Sequence, residues 1–246
     1  MNIHVLKNPD ELSVAVANWI VNEVEECLQR TDRFAFLLSG GNTPKKLYEL
    51  LATDDYRDKI DWEKVDIFFG DERVVPFDDE RNNGRMAFNA MISKVPIPPE
   101  QVFYINTTKK PEESAEEYES LLRGYFQNSD HTFDIALLGM GEDGHTLSVF
   151  PGTEKNLNNR NWTFSAFVPD QNMYRVSLSP IAVNKSRNIA FLVTGAAKSP
   201  VLKEILDEKN KTISFPAQLI KPEYGELHWF LDEAAASTLE HSTHRR

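Results

Sequence analysis

The sequence predicts a single α/β domain, residues 1–246, in which a mostly parallel sheet is flanked by helices. Three observations support this fold class. Short apolar runs rich in β-branched and aromatic residues alternate with longer segments of helical periodicity, as in a doubly wound fold. The composition, with 41% apolar and 26% charged residues, is that of a globular protein. No internal repeat and no glycine- or serine-rich linker divides the chain.

The elements follow in order along the chain. A first helix is predicted over Asp10–Arg30, because apolar residues recur there every three or four positions. The apolar runs predict strands at Phe34–Leu38, Val65–Phe69, Val102–Ile105, Phe133–Leu138 and Asn188–Thr194. Between them, helices are predicted at Pro44–Ala52, Arg81–Ser93, Glu112–Phe126 and Pro200–Glu208. Residues 163–179 predict two shorter strands, antiparallel or at an edge, and the tail 237–246 is expected to fray because it has little apolar content.

Charge and composition limit the possible partners. The net charge of -11, from 27 basic and 38 acidic residues, argues against nucleic acid, which is bound through clustered Lys and Arg. No run is apolar enough to cross a membrane and the N-terminus does not read as a signal peptide, so we expect a cytoplasmic protein without a membrane partner. The single cysteine, Cys27, falls on the apolar stripe of the first helix and is predicted to be a core residue. The sequence does not determine the oligomeric state, and a monomer is our default expectation.

The first loop of interest is SGGNTP, Ser39–Pro44, between a predicted strand and helix. In an open α/β sheet, ligands bind beyond the carboxyl ends of the strands, where this loop lies. Thr43 is the predicted N-cap, and Gly40 and Gly41 let backbone N–H groups approach a ligand closely. A helix start of this kind favours phosphate, although an ordinary glycine turn fits equally well.

Two further loops at strand ends carry charged residues. In GDERVVP, Gly70–Pro76, Asp71 is a candidate orienting carboxylate and Arg73 a candidate phosphate ligand, while a surface ion cluster is the simpler alternative. In TGAAK, which ends at Lys198, the lysine stands in the first turn of a helix and opposes the helix dipole. A bound anion would remove that conflict.

The stretch LLGMGEDGHTLSVFPG, Leu137–Gly152, contains the pattern G-x-G-x-x-G, which is typical of dinucleotide sites. Three features argue against a dinucleotide here. Glu142 and Asp143 would repel a pyrophosphate, no acidic residue follows at the distance expected for the ribose, and Pro151 ends the segment too early for the usual helix. We therefore expect no nicotinamide cofactor.

The same stretch offers a different chemistry through His145. Its imidazole is suited to proton transfer near neutral pH, and Asp143 stands two positions before it. A structural or merely exposed histidine is the alternative. No second His or Cys stands at a ligand spacing, so no metal site is predicted. No G-x-S-x-G elbow signals a serine nucleophile.

Taken together, the motifs resemble the 6-phosphogluconolactonase family. LSGGNTP, FFGDERVVPFDDERNN, FDIALLGMGEDGHTLSVFPG, YRVSLSPIAVN, FLVTGAAKSPVL and FPAQLI follow in the order and approximate spacing of that family. Glucosamine-6-phosphate deaminases of the same superfamily share G-x-G-x-D-G-H, but the Glu that follows their histidine is absent from His145 to Pro151. Position 147 is Leu where the lactonase pattern more often has Ala.

The resemblance implies a modified Rossmann-like, sugar-phosphate isomerase/deaminase-like fold and hydrolysis of 6-phospho-D-glucono-1,5-lactone to 6-phosphogluconate, without a cofactor, in the oxidative pentose phosphate pathway. His145 would activate water as a general base, and Asp143 or Asp71 would orient the imidazole or that water. The implied phosphate ligands are Gly40, Gly41, Thr43, Arg73 and Lys198, with added positive charge from Arg175. Two alternatives stay open: a deaminase or sugar-phosphate isomerase, and a non-catalytic sugar-phosphate-binding protein.

Overall fold

A computed structural model describes residues 1–153, 157, 160–207 and 213–239. In this part of the chain the strands are β1 (Asn2–Leu6), β2 (Phe34–Leu38), β3 (Val65–Phe69), β4 (Asp71–Arg73), β5 (Val102–Phe103), β6 (Ile135–Leu138), β7 (Thr163–Val168), β8 (Met173–Leu178), β9 (Asn188–Val193) and β10 (Glu226–Asp232). The helices are α1 (Pro9–Leu28), α2 (Asn42–Leu51), α3 (Asn83–Ala90), α4 (Pro111–Tyr125), α5 (Pro180–Val183) and α6 (Ser199–Leu206).

Seven of these strands form one parallel sheet in the order β1-β10-β9-β6-β2-β3-β5. Every residue of β2, β3 and β6 is buried, which explains why these strands are continuous apolar runs rather than alternating ones. The predicted α/β class is confirmed. The order places the loops after β9, β6, β2 and β3 side by side.

Helices cover the sheet through their apolar stripes. Helix α1 contacts β1, β2 and β10, and it also packs against α2. Cys27, near the end of α1, is buried at 6% exposure, so its prediction as a core residue is confirmed. None of the described helices combines the length and apolarity needed to span a bilayer.

A second, three-stranded sheet has the order β4-β8-β7 and is antiparallel. The two strands predicted within 163–179 are confirmed as β7 and β8. The interpretation of Asp71–Arg73 as loop is wrong, because these residues form β4 and pair with β8. A three-residue strand that consists only of charged residues gives no apolar periodicity, and only its pairing with β8 makes it a strand.

Strands β1 and β10 are not predicted from the sequence. Their patterns mix apolar and polar residues, since β1 is an edge strand without a fully buried residue and the first two residues of β10 are not buried. Their pairing with each other joins the two ends of the chain. In the region predicted to fray, Thr238 is hydrogen-bonded to Ser199, whereas residues 240–246 lie outside the described residues, as does the predicted helix end at Glu208.

Candidate active site

The four loops expected to carry the site leave neighbouring strands at one edge of the sheet. They follow β9, β6, β2 and β3, which are adjacent in that order and parallel, so their carboxyl ends lie side by side. The hydroxyl oxygens of Thr43 and Thr194 are 2.8 Å apart, although β6 separates the strands that precede them. The loops after β2 and β9 therefore converge over the end of β6, where the His145 loop begins.

His145 is paired with Asp143 inside a tight turn. Its Nδ1 lies 2.6 Å from Oδ1 of Asp143, and the same oxygen accepts the His145 backbone N–H at 3.1 Å. The turn is closed by hydrogen bonds from the Gly141 N–H to the His145 carbonyl, 2.8 Å, and from the Gly144 N–H to the Gly141 carbonyl, 3.1 Å. Because a carboxylate only accepts hydrogen bonds, the pairing assigns the imidazole proton to Nδ1 and the lone pair to Nε2.

The environment keeps Asp143 ionised and the ring accessible. Partial burial by itself raises the pKa of Asp143, but the hydrogen bonds from the His145 backbone and imidazole outweigh it, and the pKa falls below its usual value. The side chain of His145 remains 32% exposed. One side of the ring packs on Phe150, with the ring centroids 4.5 Å apart. A small ligand can therefore reach an imidazole of fixed orientation.

Two of the three glycines in this loop, Gly141 and Gly144, have a structural requirement. A Cβ on Gly141 would lie 2.0 Å from His145 Nδ1 and 2.4 Å from Asp143 Oδ1. Gly144 has a φ of +76°, and a Cβ there would also meet the Phe215 ring. Gly141 thus leaves room for the pair and Gly144 provides the left-handed turn beside Phe215, whereas a Cβ on Gly139 would make only an ordinary contact, 3.8 Å from Ser39 Oγ.

The loop after β2 differs from its prediction at Thr43. Helix α2 begins at Asn42 and its N-cap is Gly41, whose φ of +105° favours glycine, with no side chain capping the helix. The prediction that Thr43 is the N-cap is wrong, since Thr43 lies within the first turn and its hydroxyl bonds Thr194. An uncapped helix start leaves N–H groups directed towards a ligand position.

Lys198 is the last residue of a 3-10 turn that starts after Gly195, and it is also the N-cap residue of α6. Gly195 has a φ of +96°, and its N–H donates to both carboxylate oxygens of buried Asp232 at 3.0 and 3.1 Å. Within the described part of the chain, the Lys198 ammonium has no hydrogen bond or ion pair. Its charge is therefore available to an anion at this edge of the sheet.

Arg73 and Arg175 are directly opposite each other on β4 and β8. Arg175 is only 5% exposed, and its guanidinium contacts Asp71 Oδ2 at 3.7 Å and bonds Gln171. Burial lowers the pKa of Arg175, an effect that Asp71 opposes and Arg73 reinforces. The Nε atoms of both arginines are buried without a hydrogen-bond partner. Two adjacent cations with unused donors form a local positive site in an acidic protein.

Asp71 is buried next to this pair and does not contact the imidazole. Its Oδ2 accepts the Ser148 hydroxyl at 2.6 Å, and its Oδ1 lies 3.3 Å from Nδ2 of Asn83. Of the two carboxylates considered for orienting His145, Asp143 is the one in contact with it. Asp71 instead ties the His145 loop, through Ser148, to the strand that carries Arg73.

Leu147, between His145 and Ser148, has an unusual backbone conformation. Its φ is +55°, in the left-handed region that costs a non-glycine residue about 1–2 kcal/mol. Its side chain covers Gly70, where a Cβ would lie 3.0 Å from Leu147 Cδ2. The bend turns the chain from His145 towards Ser148, whose backbone N–H donates to Ser177 Oγ at 3.1 Å.

Glu72 and Asn83 were not singled out from the sequence, although both are buried at 3% exposure. Glu72 accepts the backbone N–H groups of Arg73, Asn83 and Gly84 at 2.7–2.8 Å. Burial nevertheless raises the pKa of Glu72 to about 7, because desolvation outweighs these hydrogen bonds. Only their place in FFGDERVVPFDDERNN could have drawn attention to them, since their partners are set by tertiary structure.

The arrangement can bind an anion and move a proton. Among the described residues, no group of three or more His, Cys, Asp or Glu side chains is placed to hold a metal ion. The fold and the grouping of these side chains thus define a class, α/β enzymes that act on small anionic substrates. The chain belongs to the glucosamine-6-phosphate isomerase/6-phosphogluconolactonase family, whose model matches residues 7–229.

The chain is similar in sequence to relatives of this family over nearly its whole length. A 6-phosphogluconolactonase of Nostoc sp. is 34% identical, with 96% of this chain and 98% of the relative covered. The 6-phosphogluconolactonase of Rattus norvegicus is 35% identical, covering 98% and 96%. The crystal structure of 6-phosphogluconolactonase from Thermotoga maritima has a TM-score of 0.82 at 31% identity, covering 94% and 99%. The resemblance predicted from the sequence is confirmed, and the enzyme class that goes with it is 6-phosphogluconolactonase.

Proposed function

We propose that this chain hydrolyses 6-phospho-D-glucono-1,5-lactone to 6-phosphogluconate with His145 as the general base. The observation that carries the proposal is the 2.6 Å contact between His145 Nδ1 and Asp143, which leaves the Nε2 lone pair for water. Nε2 takes a proton as the water oxygen attacks the lactone carbonyl carbon. The resulting oxyanion collapses, the bond from that carbon to the ring oxygen breaks, and the imidazolium returns the proton to the ring oxygen.

The substrate phosphate would bind where the cations and the open helix start meet. Arg73 and Lys198 supply direct charge, and the backbone of Gly40 and Gly41 with Thr43 supplies hydrogen-bond donors. Arg175 is buried against Asp71 and adds positive charge behind Arg73. Holding the phosphate places the lactone relative to His145, and positioning of this kind contributes alongside general base catalysis.

Backbone N–H groups are the candidate oxyanion donors. Those of Gly141 and Gly144 are used within the His145 turn. The remaining N–H groups of residues 139–145, and those of SGGNT that the phosphate does not use, are the candidate donors for the developing negative charge.

A coupled assay with freshly prepared 6-phosphogluconolactone tests the reaction against the uncatalysed rate. We expect acceleration by the wild type and a loss of about 10²- to 10⁴-fold in kcat for His145→Ala, a folded variant without the base. A variant rate within about threefold of the wild type would remove His145 from this role. Ligand binding without acceleration would favour the binding-protein alternative, and ammonia release from glucosamine 6-phosphate would favour the deaminase.

Arg73→Ala tests the phosphate site separately. We expect kcat/KM for the phosphorylated lactone to fall by about tenfold or more, because a charge-assisted hydrogen bond is lost, and kcat/KM for unphosphorylated gluconolactone to change little. Equal losses for both lactones would contradict the assignment. The cytoplasmic location and the monomeric state stay predictions from the sequence.

A further inference from the structure

The carboxylate of Glu72 connects β4 to the start of α3. Its Oε1 accepts the N–H groups of Arg73 at 2.8 Å and Asn83 at 2.7 Å, and its Oε2 accepts the N–H of Gly84 at 2.8 Å. Asn82, the N-cap residue, accepts the N–H of Arg85 at 2.8 Å. Glu72 thus supplies the partners that the first two N–H groups of α3 lack within the helix.

Asn83 extends this connection towards the proposed phosphate site. Its Nδ2 donates to the backbone carbonyl of Asp71 at 2.9 Å and lies 3.3 Å from the Asp71 carboxylate. Its amide also fills the space beside Gly40, where a Cβ would lie 2.1 Å from Asn83 Oδ1. One buried side chain therefore sets the distance between the SGGNT segment and β4.

We propose that Glu72 is a positioning residue for phosphate binding, which acts by holding Asn83 between Gly40 and Asp71 and by fixing the backbone of Arg73. This inference rests on the proposed function, which assigns the SGGNT backbone and Arg73 to the substrate phosphate. Glu72 touches no part of the substrate in this role. It sets the separation of two groups that do, the SGGNT backbone and the Arg73 guanidinium, which come from different strands.

The chemistry of the site requires a carboxylate rather than an amide. All three groups that face Glu72 in these contacts are N–H donors, and an ionised carboxylate accepts from all of them. A glutamine has one oxygen, and its NH₂ group would face an N–H group of the backbone. Glu72→Gln keeps the side-chain size and removes the matched acceptor, so α3 and Asn83 should shift.

The test compares Glu72→Gln with Glu80→Gln, an exposed glutamate in the same connection between β4 and α3. For Glu72→Gln we expect KM for 6-phosphogluconolactone to rise by about tenfold or more, because misplacement of a binding group by about 1 Å is costly. We expect the kcat of Glu72→Gln to stay within about threefold of the wild-type value. Its kcat/KM for unphosphorylated gluconolactone should also stay within about threefold. Glu80→Gln should match the wild type on both substrates.

A role in folding alone gives a different pattern. It would reduce the activity on both lactones in proportion to the folded fraction, and that result would overturn the proposal. An unchanged KM for the phosphorylated lactone would overturn it as well.

Asn83→Ala provides a second test if Glu72→Gln does not fold. This variant keeps the backbone N–H groups that Glu72 binds and removes only the amide beside Gly40. We expect the same selective rise in KM, and an unchanged KM would overturn the proposal.

Inorganic phosphate separates this inference from the proposed function. If the wild type does not accelerate lactone hydrolysis, the proposed function fails, but calorimetric titration with inorganic phosphate still compares the wild type and the two variants. Weaker phosphate binding by both variants supports the positioning role. Equal binding by all three proteins, or none by the wild type, overturns it.

Discussion

Replacing Gly141 with alanine should displace the His145–Asp143 pair. The φ of Gly141 is not in the left-handed region, so alanine can adopt this conformation. The added Cβ would lie 2.0 Å from His145 Nδ1, 2.3 Å from its Cε1 and 2.4 Å from Asp143 Oδ1. Either the imidazole and the carboxylate move, or the turn opens.

The size of the movement sets the expected effect on the rate. To regain van der Waals separation from the new methyl group, the imidazole must retreat by about 1.5 Å. A misplacement of about 1 Å costs on the order of 10²-fold in rate, so we expect kcat to fall by about 10²-fold or more. KM should change little, because the phosphate ligands lie on other loops. Stability should fall only modestly, since the His145 side chain is partly exposed and can rotate towards solvent.

The lactonase assay on Gly141→Ala, with a thermal melt to confirm folding, measures this effect. Gly124→Ala in α4 is the matched control, because a Cβ there meets nothing within 4 Å. It should keep full activity and raise stability by up to about 1 kcal/mol, as expected for glycine to alanine in a helix. A folded Gly141→Ala variant with a kcat within about threefold of the wild type would show that the orientation of the pair does not matter for the rate.

Three further predictions concern buried or paired carboxylates. Asp143→Asn should lower kcat by about 10²- to 10⁴-fold, because the amide cannot stabilise the imidazolium; a steady-state rate near that of the wild type would contradict this. The pKa of Glu72 rises from 4.5 to about 7 on folding, so its contribution to stability is present below pH 4.5 and is lost as the pH rises through 7. Denaturant melts should therefore show the wild type losing about 3 kcal/mol relative to Glu72→Gln between pH 4.5 and pH 8, and a pH-independent difference would refute the linkage. Asp232→Asn should destabilise the protein by about 1.5–3 kcal/mol in the same melts, because the Gly195 N–H loses a charged acceptor. The same change should raise KM, and an unchanged KM would show that the loop from Gly195 to Lys198 keeps its shape without the Asp232 carboxylate.

Local features of the chain were sufficient to predict much of the fold. The buried strands β2, β3, β6 and β9 are recognisable because a strand covered on both faces must be apolar throughout. Element ends were less accurate: the strand predicted to end at Ile105 ends at Phe103, and the helix predicted to start at Arg81 starts at Asn83. The ends of helices and strands depend on their capping and pairing partners, and the spacing of apolar residues carries no information on those partners.

The same distinction applies to the candidate site. His145 and Asp143 are two positions apart, so the sequence could give Asp143 as a candidate partner of the imidazole, with Asp71 as the alternative, and the structure shows that Asp143 is the one in contact. The pairing of Arg73 with Arg175, the contact of Asp71 with Ser148 and the placement of Asn83 beside Gly40 join residues that are far apart in the chain. They arise from strand register and from the packing of α3, neither of which leaves a local pattern. The sequence by itself therefore determined the central strands of the sheet and the candidate histidine at their carboxyl edge. Tertiary structure decided which carboxylate contacts that histidine and which residues pack around the arginines, because burial and register exist only once distant segments have met.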